Sequence, residues 1–338
     1  MPIRDSIIQV TRGNDLSQEQ AAEAMEEMMT GVASPAQIAA FLTALHLKGE
    51  TEAEIAGMAE VMREKATHVF HDGPVLDTCG TGGDASGTFN ISTTTAFVAA
   101  GAGAIVAKHG NRAASSACGS ADVLEALGVN IELDAGGVER CLDQAGIGFM
   151  FAPKFHPAMR YAGPVRREIG IRTAFNMLGP LTNPARARYQ VLGVADVRLA
   201  EKLARALSRL DTIHALVVHG DGRLDELALS GPNVVFEVRS GTVKQLPDIS
   251  AVELGLETAP KEALLGGDAA ENAALLRAIL DGQEHGPKRD VVLLNSAAAL
   301  VAADKAGDIR EGLELARKSL DSGAARERLE RMVAMSRG

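Results

Sequence analysis

The sequence predicts an α/β fold in which a small N-terminal all-helical domain precedes a larger domain with a mostly parallel sheet flanked by helices. The first seventy residues carry helical patterns and no strand pattern, whereas apolar runs alternate with helical patterns from "HDGPVLD" onward. Aromatic residues make up only 3% of the 338 residues, so aliphatic side chains must form the core, as in helices packed on a sheet. We place the small domain at 1–72, joined by part of 160–190, and the α/β domain at 73–338.

Three amphipathic helices are predicted before residue 70. Ser17 with Gln20 and Thr51 with Glu54 have the spacing of capping boxes, and Ser34 stands where an N-cap precedes a helical proline. No strand accompanies these helices, so their apolar faces need a partner, either the rest of the chain or another subunit.

The strand patterns follow in order. Buried strands are predicted at "VLDTC", "AIVAKHG", "VNIEL", "IGFMFAP", "YQVLGVA" and "HALVVHG", and a hairpin at "VVFEVRSGTVKQL". The basic segment "HPAMRYAGPVRREIGIRTAFNMLGPLTNPA" interrupts this alternation, and we expect it to pack back against the N-terminal helices. The cleft between the helical part and the sheet is then the natural ligand site.

Charge and cysteine content exclude some classes of protein. The net charge of −10 argues against binding to nucleic acid or to an anionic membrane, because such binding needs an excess of Lys and Arg. Three cysteines without CxxC spacing suit a reducing compartment, and no N-terminal signal or bilayer-length apolar run is visible, so a cytoplasmic location is expected. Cys118 and Cys141 are expected to be buried, whereas Cys79 would line a site.

The stretch "DTCGTGGDASGTFNIST" lies between a predicted strand and a predicted helix. Glycines at this place expose backbone N–H groups at a helix N-terminus, where phosphate is favoured. Gly80, Gly82 and Ala85 formally fit a dinucleotide fingerprint, but the next strand ends in the basic "AKHGNR", which disfavours NAD, and no Gly-Lys dipeptide of a P-loop is present. A tight turn without a ligand is the alternative, but the aspartate and hydroxyl side chains in this stretch exceed what a turn needs.

The stretch "KHGNRAASSACGS" follows the next strand and should lie beside the glycine loop, because parallel strands end at one edge of a sheet. It offers Lys108 and Arg112 for anionic oxygens, together with the Asn111 amide. Its hydroxyl groups belong to Ser115, Ser116 and Ser120. The two loops together suit a polyphosphate, and a basic surface loop is the alternative.

Asp225 and Glu226 are adjacent carboxylates after the strand "HALVVHG". Alone they would be a solvated surface pair. Beside a polyphosphate they suit Mg²⁺, which typically bridges carboxylates to substrate phosphates, and Asp84 and Ser92 would add oxygen ligands. Among the histidines, His109 would contact a substrate, His214 and His219 are expected to be structural, and His156 shows no functional pattern; no catalytic triad or His-based metal spacing is visible.

Several motifs together carry a resemblance. "DTCGTGGD", "FNIST", "KHGNRAASSACGSADVLEALGVNI", "GIRTAFNMLGPLTNPA" and "DGRLDEL" closely resemble the anthranilate phosphoribosyltransferase family, over nearly the whole chain and in the right order. The resemblance implies transfer of the phosphoribosyl group of phosphoribosyl pyrophosphate (PRPP) to the amino group of anthranilate. The products would be N-(5-phosphoribosyl)anthranilate and diphosphate, in tryptophan biosynthesis. It also implies a homodimer with two Mg²⁺ and PRPP in the cleft of each subunit.

The resemblance also implies roles for particular residues. Those expected to bind PRPP are Gly80, Gly82, Gly83, Asp84, Thr88, Asn90, Ile91, Ser92, Thr93, Lys108, His109, Gly110, Asn111, Arg112, Ala113, Ala114, Ser115, Ser116 and Ser120. Those expected to face anthranilate are Gly80, His109, Asn111, Arg166 and Pro180, with Arg166 preferred to Arg167. Ser92, Asp225 and Glu226 would hold magnesium, and no dedicated catalytic acid or base is expected.

Two other functions remain as alternatives at this stage. A non-catalytic relative that binds nucleic acid would need a basic face, which the negative charge disfavours. A nucleoside phosphorylase uses free phosphate and would not need the Asp225–Glu226 metal site.

Overall fold

The computed structural model describes residues 1–113 and 117–338, and it forms helices and strands throughout these ranges. The helices are α1 (Ile3–Thr11), α2 (Gln18–Thr30), α3 (Pro35–Lys48), α4 (Glu52–Glu64), α5 (Ile91–Gly101), α6 (Ser120–Ala126), α7 (Ala135–Ala145), α8 (Ala152–Phe155), α9 (Met159–Ile169), α10 (Phe175–Leu178), α11 (Val197–Ser208), α12 (Ala269–Leu280), α13 (Pro287–Ala302), α14 (Ile309–Asp321) and α15 (Ala324–Arg337). The strands are β1 (Leu76–Gly80), β2 (Val106–Gly110), β3 (Ile147–Phe151), β4 (Tyr189–Gly193), β5 (His214–His219), β6 (Val234–Arg239) and β7 (Thr242–Gln245).

The N-terminal helices begin where their caps predict. Ser17, Ser34 and Thr51 each accept a hydrogen bond from the backbone three residues on, and each forms a complete capping box. The prediction of three helices was one too few, because α1 also forms and buries Ile3 and Val10. These helices share a core of aliphatic and methionine side chains, as the scarcity of aromatic residues requires.

The basic segment after β3 packs back onto the N-terminal helices, as predicted. Ala162 and Val165 of α9 and Phe175 of α10 are buried in the same apolar cluster as Met25 and Phe41 of the helical part. The cluster continues onto one face of the sheet through α11. A separate core, on the other face, packs the sheet against α5 and α13.

The sheet has the strand order β3-β2-β1-β4-β5-β6-β7. Its first five strands in this order are parallel, and β6 and β7 form the predicted antiparallel hairpin. The parallel register aligns Gly80 of β1 with Gly193 of β4, and the loops after β1, β2 and β5 all leave from one edge. The sheet therefore brings the three motif-bearing loops to a common side.

One strand prediction is wrong. "VNIEL" forms no strand but a turn-bearing connection between α6 and α7. Val129 and Ile131 are buried in alternation, which mimics a half-buried strand, but the segment lies against α15, where Asn130 donates its backbone N–H to Ser336 Oγ (3.0 Å).

Cys118 and Cys141 are buried as predicted, and Cys79 is partly buried at the end of β1. Within the described ranges, no helix is both long enough and apolar enough to cross a membrane.

Candidate active site

The glycine loop between β1 and α5 uses its glycines for backbone conformation and close approach. Gly82 and Gly83 have φ of 63° and 75°, in the left-handed region that favours glycine. Gly80 is needed for a different reason: a Cβ there would lie 2.3 Å from Oδ2 of Asp225. The loop is therefore shaped to lie flush against the loop that follows β5.

Two hydrogen bonds join these loops. The backbone N–H of Gly82 donates to Oδ2 of Asp225 (2.7 Å), and the backbone N–H of Ser92 donates to Oε1 of Glu226 (3.1 Å). The second bond lies at the first turn of α5, where the helix dipole favours a negative charge. These bonds hold the adjacent carboxylates of Asp225 and Glu226, here called the acidic cluster, against a loop that lies more than 130 positions earlier in the sequence.

Burial raises the pKa values of both carboxyls in this cluster. The neighbouring charge of Asp84 further raises the pKa of Asp225, and the charge of Asp225 further raises that of Glu226. Lys108 opposes the shift by lowering the pKa of Glu226. The ionised form of this pair is therefore unfavourable in the protein alone, and a bound divalent cation would stabilise it.

The donor set fits magnesium rather than a softer metal. Its ligands are carboxylate and hydroxyl oxygens, which Mg²⁺ prefers. No group of three His, Cys, Asp or Glu side chains within residues 1–113 and 117–338 is arranged to hold a metal ion by itself. A magnesium ion at Asp225 and Glu226 would thus need oxygens from a ligand, as Mg²⁺ sites on substrate phosphates do.

Lys108 lies under the loops rather than on their surface. Its side chain is buried, and its Nζ donates to the carbonyl oxygen of Thr78 (2.5 Å). Its charge also lowers the pKa values of Asp77 and Glu226. The structure thus places this predicted phosphate ligand between the ends of β1 and β2, where it balances buried carboxylates.

Asp77 is a fully buried carboxylate that links three elements. It accepts hydrogen bonds from the backbone N–H of His109 (3.3 Å) and from Nδ2 of Asn183 (2.8 Å), and Asn183 also donates to the carbonyl oxygen of Ala107 (2.8 Å). Burial raises the pKa of Asp77, and these donors together with Lys108 lower it in part. Asp77 therefore ties β1 to the end of β2 and to the segment after α10.

Arg112 is placed differently from the expectation of a phosphate ligand. Its guanidinium pairs with Asp122 and Glu125 of α6 (both 2.9 Å), and it lies over the ring of Phe151. Asp122 also accepts from the backbone N–H groups of Ala113 (3.0 Å) and Gly119 (2.9 Å), so it shapes this loop. The predicted ligands Ala114, Ser115 and Ser116 lie outside the described residues.

The other predicted PRPP ligands lie in or near the glycine loop and the first turn of α5. Some of their side chains are buried or already form hydrogen bonds within the protein. Asn90 donates to the carbonyl oxygen of Cys118 (3.2 Å) and accepts from Asn272 (3.0 Å). The side chains of Ile91 and Thr93 are buried. Of the remaining members, Gly83, Asp84 and Thr88 lie in the glycine loop and Ser92 in the first turn of α5. Gly110 ends β2, and Ser120 begins α6.

A cavity of about 620 Å³ adjoins the glycine loop and contains all five residues predicted to face the acceptor. Gly80, His109, Asn111, Arg166 and Pro180 line it. The rejected Arg167 lines it too, but Arg166 stacks on the ring of Phe175 (4.8 Å), and burial lowers its pKa. The cavity thus combines a desolvated cation with apolar walls, which suits a planar aromatic acid.

His156 is a residue that sequence reasoning missed. Its ring lies 5.0 Å from that of His109, and burial lowers the pKa values of His109 and His156 to about 3 and about 4. Both are therefore neutral at pH 7, and the Nε2 atom of each is buried without a hydrogen-bond partner among the described residues. The only signal was the position of His156 in the basic segment.

Two further side chains were also missed. Arg172 lies against the glycine loop, because a Cβ on Gly83 would meet its Nη1. Gln190 of β4 donates to the carbonyl oxygen of Pro180 (2.6 Å) and to Sγ of Cys79 (3.2 Å). Gln190 thus holds one wall of the cavity against β1.

Family profiles match both parts of this architecture. One described as the helical bundle domain of a glycosyl transferase family matches residues 4–66, and one described as the a/b domain of that family matches residues 72–326. Together with the phosphate-type loop and the acidic cluster, they define the chain as a glycosyl transferase of this two-part class.

More specific relatives narrow the class. The chain is 72% identical over 338 residues to the anthranilate phosphoribosyltransferase of Chloroflexus aggregans, covering 100% of this chain and 99% of the relative. The crystal structure of the Thermus thermophilus enzyme of that name is 49% identical with a TM-score of 0.93, covering 99% of this chain and 100% of the other. That of Saccharomyces cerevisiae, in complex with PRPP and Mg, is 27% identical with a TM-score of 0.89, covering 99% and 98%. The chain belongs to the anthranilate phosphoribosyltransferase family.

Proposed function

We propose that this chain transfers the phosphoribosyl group of PRPP to the amino group of anthranilate, in the cavity beside the glycine loop. One observation carries the proposal: the loops after β1 and β5 join through Gly82 and Asp225 directly beside a cavity that contains His109 and Arg166. A site for a magnesium-bound diphosphate thus adjoins a site for an aromatic acid. The reaction belongs to tryptophan biosynthesis.

The diphosphate end of PRPP would lie on the glycine loop. Backbone N–H groups around Gly83 and the N-terminus of α5 favour phosphate oxygens there. The oxygens of Ser92, Asp225 and Glu226 would hold the two Mg²⁺ expected per subunit, with Asp84 as a further neighbour. Bound magnesium would stabilise negative charge on the departing diphosphate.

Anthranilate would lie in the cavity with its carboxylate towards Arg166. A buried guanidinium binds a carboxylate strongly, because little water competes for it. Neutral His109 offers a ring edge and an unpaired Nε2, and Pro180 offers an apolar wall. This placement directs the amino group towards the glycine loop.

The chemistry needs positioning more than proton transfer. The amine of an aromatic acid is unprotonated at neutral pH and becomes strongly acidic once its bond to the ribose carbon forms, so a dedicated base is unnecessary. The difficult step is loss of diphosphate, during which the ribose carbon becomes positively charged. The residues of the chain would align amine and sugar, and closure of the cavity around both substrates would exclude water that hydrolyses PRPP.

Larger features of the molecule are part of the same proposal. We place the helical domain at 1–72 with part of 160–190, and the α/β domain at 73–338, so that the cavity lies between them. Two copies would form a homodimer, and the expected location is the cytoplasm. Sedimentation equilibrium on the purified chain tests the dimer, which a monomer at micromolar concentration would contradict.

Purified protein tests the activity directly. With PRPP, anthranilate and Mg²⁺, we expect formation of N-(5-phosphoribosyl)anthranilate, and we expect it to stop when Mg²⁺ is chelated. Folded protein supplied with Mg²⁺ that makes no product would contradict the proposal. Phosphorolysis of nucleosides in its place would favour the phosphorylase alternative.

A further inference from the structure

A second cavity, of about 730 Å³, lies where strands β4 and β5 begin, at the opposite end of these strands from the candidate active site. Its lining comes from α4, from the segment before β4 and from the segment between α11 and β5. These segments enter β4 at Tyr189 and β5 at His214, whereas the candidate active site lies where the same strands end. The cavity is therefore a separate place in the fold.

Four arginine side chains line this cavity: Arg63 from α4, Arg186 and Arg188 before β4, and Arg209 after α11. The three carboxylates that also line it belong to Glu60, Glu64 and Asp211. Positive groups therefore exceed negative ones, which favours an anion over a metal ion.

Three of these arginines lack an ion-pair partner within the described part of the chain. Among the described residues, no carboxylate oxygen lies within 4.0 Å of a side-chain nitrogen of Arg63, Arg186 or Arg188, and Arg209 reaches only Glu52, at 3.9 Å. Two of them are nevertheless held in place. The Nε of Arg63 donates to the carbonyl oxygen of Leu181 (2.6 Å), and the Nε of Arg188 donates to that of Asp211 (3.0 Å).

Like charges from two parts of the molecule face each other here. Burial and the positive charge of Arg186 lower the pKa of Arg63 to about 10, although Asp211 and Glu60 oppose the shift. Arg186 also has a φ of 49°, a left-handed conformation that is unfavourable for a residue with a Cβ. The fold thus holds the guanidinium groups of Arg63 and Arg186 near each other. The carboxylates of Asp211 and Glu60 offset part of this repulsion, but among the described residues neither lies within ion-pair distance of Arg63.

We propose that this cavity binds a phosphate group, either free inorganic phosphate or the phosphate of a small metabolite. Fixed guanidinium groups whose Nη atoms remain free recognise phosphate oxygens in pairs, which lysines do not. The bound phosphate would bridge Arg63 of α4 to Arg186 and Arg188 of the sheet domain. It would also lie behind Leu181, the residue next to Pro180 of the acceptor cavity.

Calorimetric titration with inorganic phosphate tests this proposal, in buffer of constant ionic strength, first without PRPP and then with PRPP and Mg²⁺, so that phosphate bound at the candidate active site can be separated. We expect saturable binding to the native chain, and about tenfold or more weaker binding to Arg186→Gly, which removes a guanidinium and relieves the left-handed conformation. The matched control is Arg331→Gln, which removes an exposed arginine paired with Glu327 on α15 and should bind as the native chain does. Arg188→Gln, checked for folding by circular dichroism, gives a second variant.

Titrations with other ligands distinguish free phosphate from the phosphate of a sugar. Tighter binding of ribose 5-phosphate than of inorganic phosphate would support the proposal with a sugar phosphate as ligand, and equal binding would support it with free phosphate. Citrate that binds as tightly as phosphate would overturn the assignment to phosphate. So would binding to Arg186→Gly within twofold of the native chain. Failure of PRPP to bind would instead count against the proposed function, since the comparison of variants does not depend on it.

Discussion

The backbone N–H of Gly82 donates to Oδ2 of Asp225 over 2.7 Å, across 143 positions of sequence. This bond places the glycine loop in contact with a pair of carboxylates whose pKa values burial raises. Because Gly80 also has no room for a Cβ beside Asp225, the two loops form one surface. A phosphate on the first loop and a metal ion on the second would therefore be neighbours.

Glu226→Gln should lower kcat/KM by about 100-fold or more, because the departing diphosphate loses a metal-held counter-charge. The concentration of Mg²⁺ giving half-maximal rate should rise as well. Steady-state rates measured over a range of Mg²⁺ check both effects. The control is Asp221→Asn, which changes a nearby carboxylate that accepts a hydrogen bond from the Ser230 hydroxyl (2.8 Å). The Mg²⁺ dependence of this variant should be the same as that of the native chain. An unchanged Mg²⁺ profile in Glu226→Gln would exclude it as a metal ligand.

Without Mg²⁺, the free energy of unfolding should fall as the pH rises from about 6 to about 9. Burial and mutual repulsion raise the pKa values of Asp225 and Glu226, so the folded chain binds more protons than the unfolded chain in this range, and stability is lost as these protons leave. Mg²⁺ should reverse the loss, more at pH 9 than at pH 6. Urea denaturation at both pH values measures it, with the Asp225→Asn, Glu226→Gln double variant as control. If the free energy of unfolding of that double variant falls equally with pH, then groups other than Asp225 and Glu226 cause the pH dependence.

Arg166→Gln should raise KM for anthranilate by about 10- to 100-fold, because a hydrogen bond to a charged group contributes about 1.5–3 kcal/mol. KM for PRPP should change little, since Arg166 stacks on Phe175 inside the acceptor cavity. Arg167→Gln provides a neighbouring control from the same helix, with a smaller effect expected. Should Arg167→Gln be the more damaging of the two, the carboxylate would bind to the other arginine.

Asp77→Asn should cost about 1–3 kcal/mol of stability, because its amide would present a donor to the N–H groups of His109 or Asn183. KM for anthranilate should also rise, since His109 lines the acceptor cavity. The exchange Asp77→Asn with Asn183→Asp restores a donor and an acceptor, and it should recover part of both losses. Denaturation and steady-state kinetics on the two single variants and the double variant measure the coupling. Purely additive effects would mean that the pair does not position His109.

Much of the fold could be predicted because local patterns and packing agree. The capping boxes at Ser17 and Thr51 and the β6–β7 hairpin are short-range features, and the structure retains them. The segment "VNIEL" was misread because its alternating burial comes from lying against α15 and not from a sheet. α1 was missed because it has no side-chain cap at its first residue.

The candidate site also has features that the sequence predicts and features that it does not. The Gly82–Asp225 proximity follows from parallel strands ending at one edge, which the sequence predicts. Side-chain direction does not follow: Arg112 turns to α6, and Lys108 is buried beneath the loop. His156 enters the cavity because α8 packs on β3 and α9 packs on α2 and α3, which is long-range packing without a local signal.

A crystal structure with PRPP, anthranilate and Mn²⁺ in place of Mg²⁺ tests the central claim most directly, since anomalous scattering locates the metal. We predict metal between the PRPP diphosphate and the carboxylates of Asp225 and Glu226, with the anthranilate carboxylate at Arg166. PRPP bound away from the Gly80–Asp84 loop, or metal that touches neither carboxylate, would contradict the account.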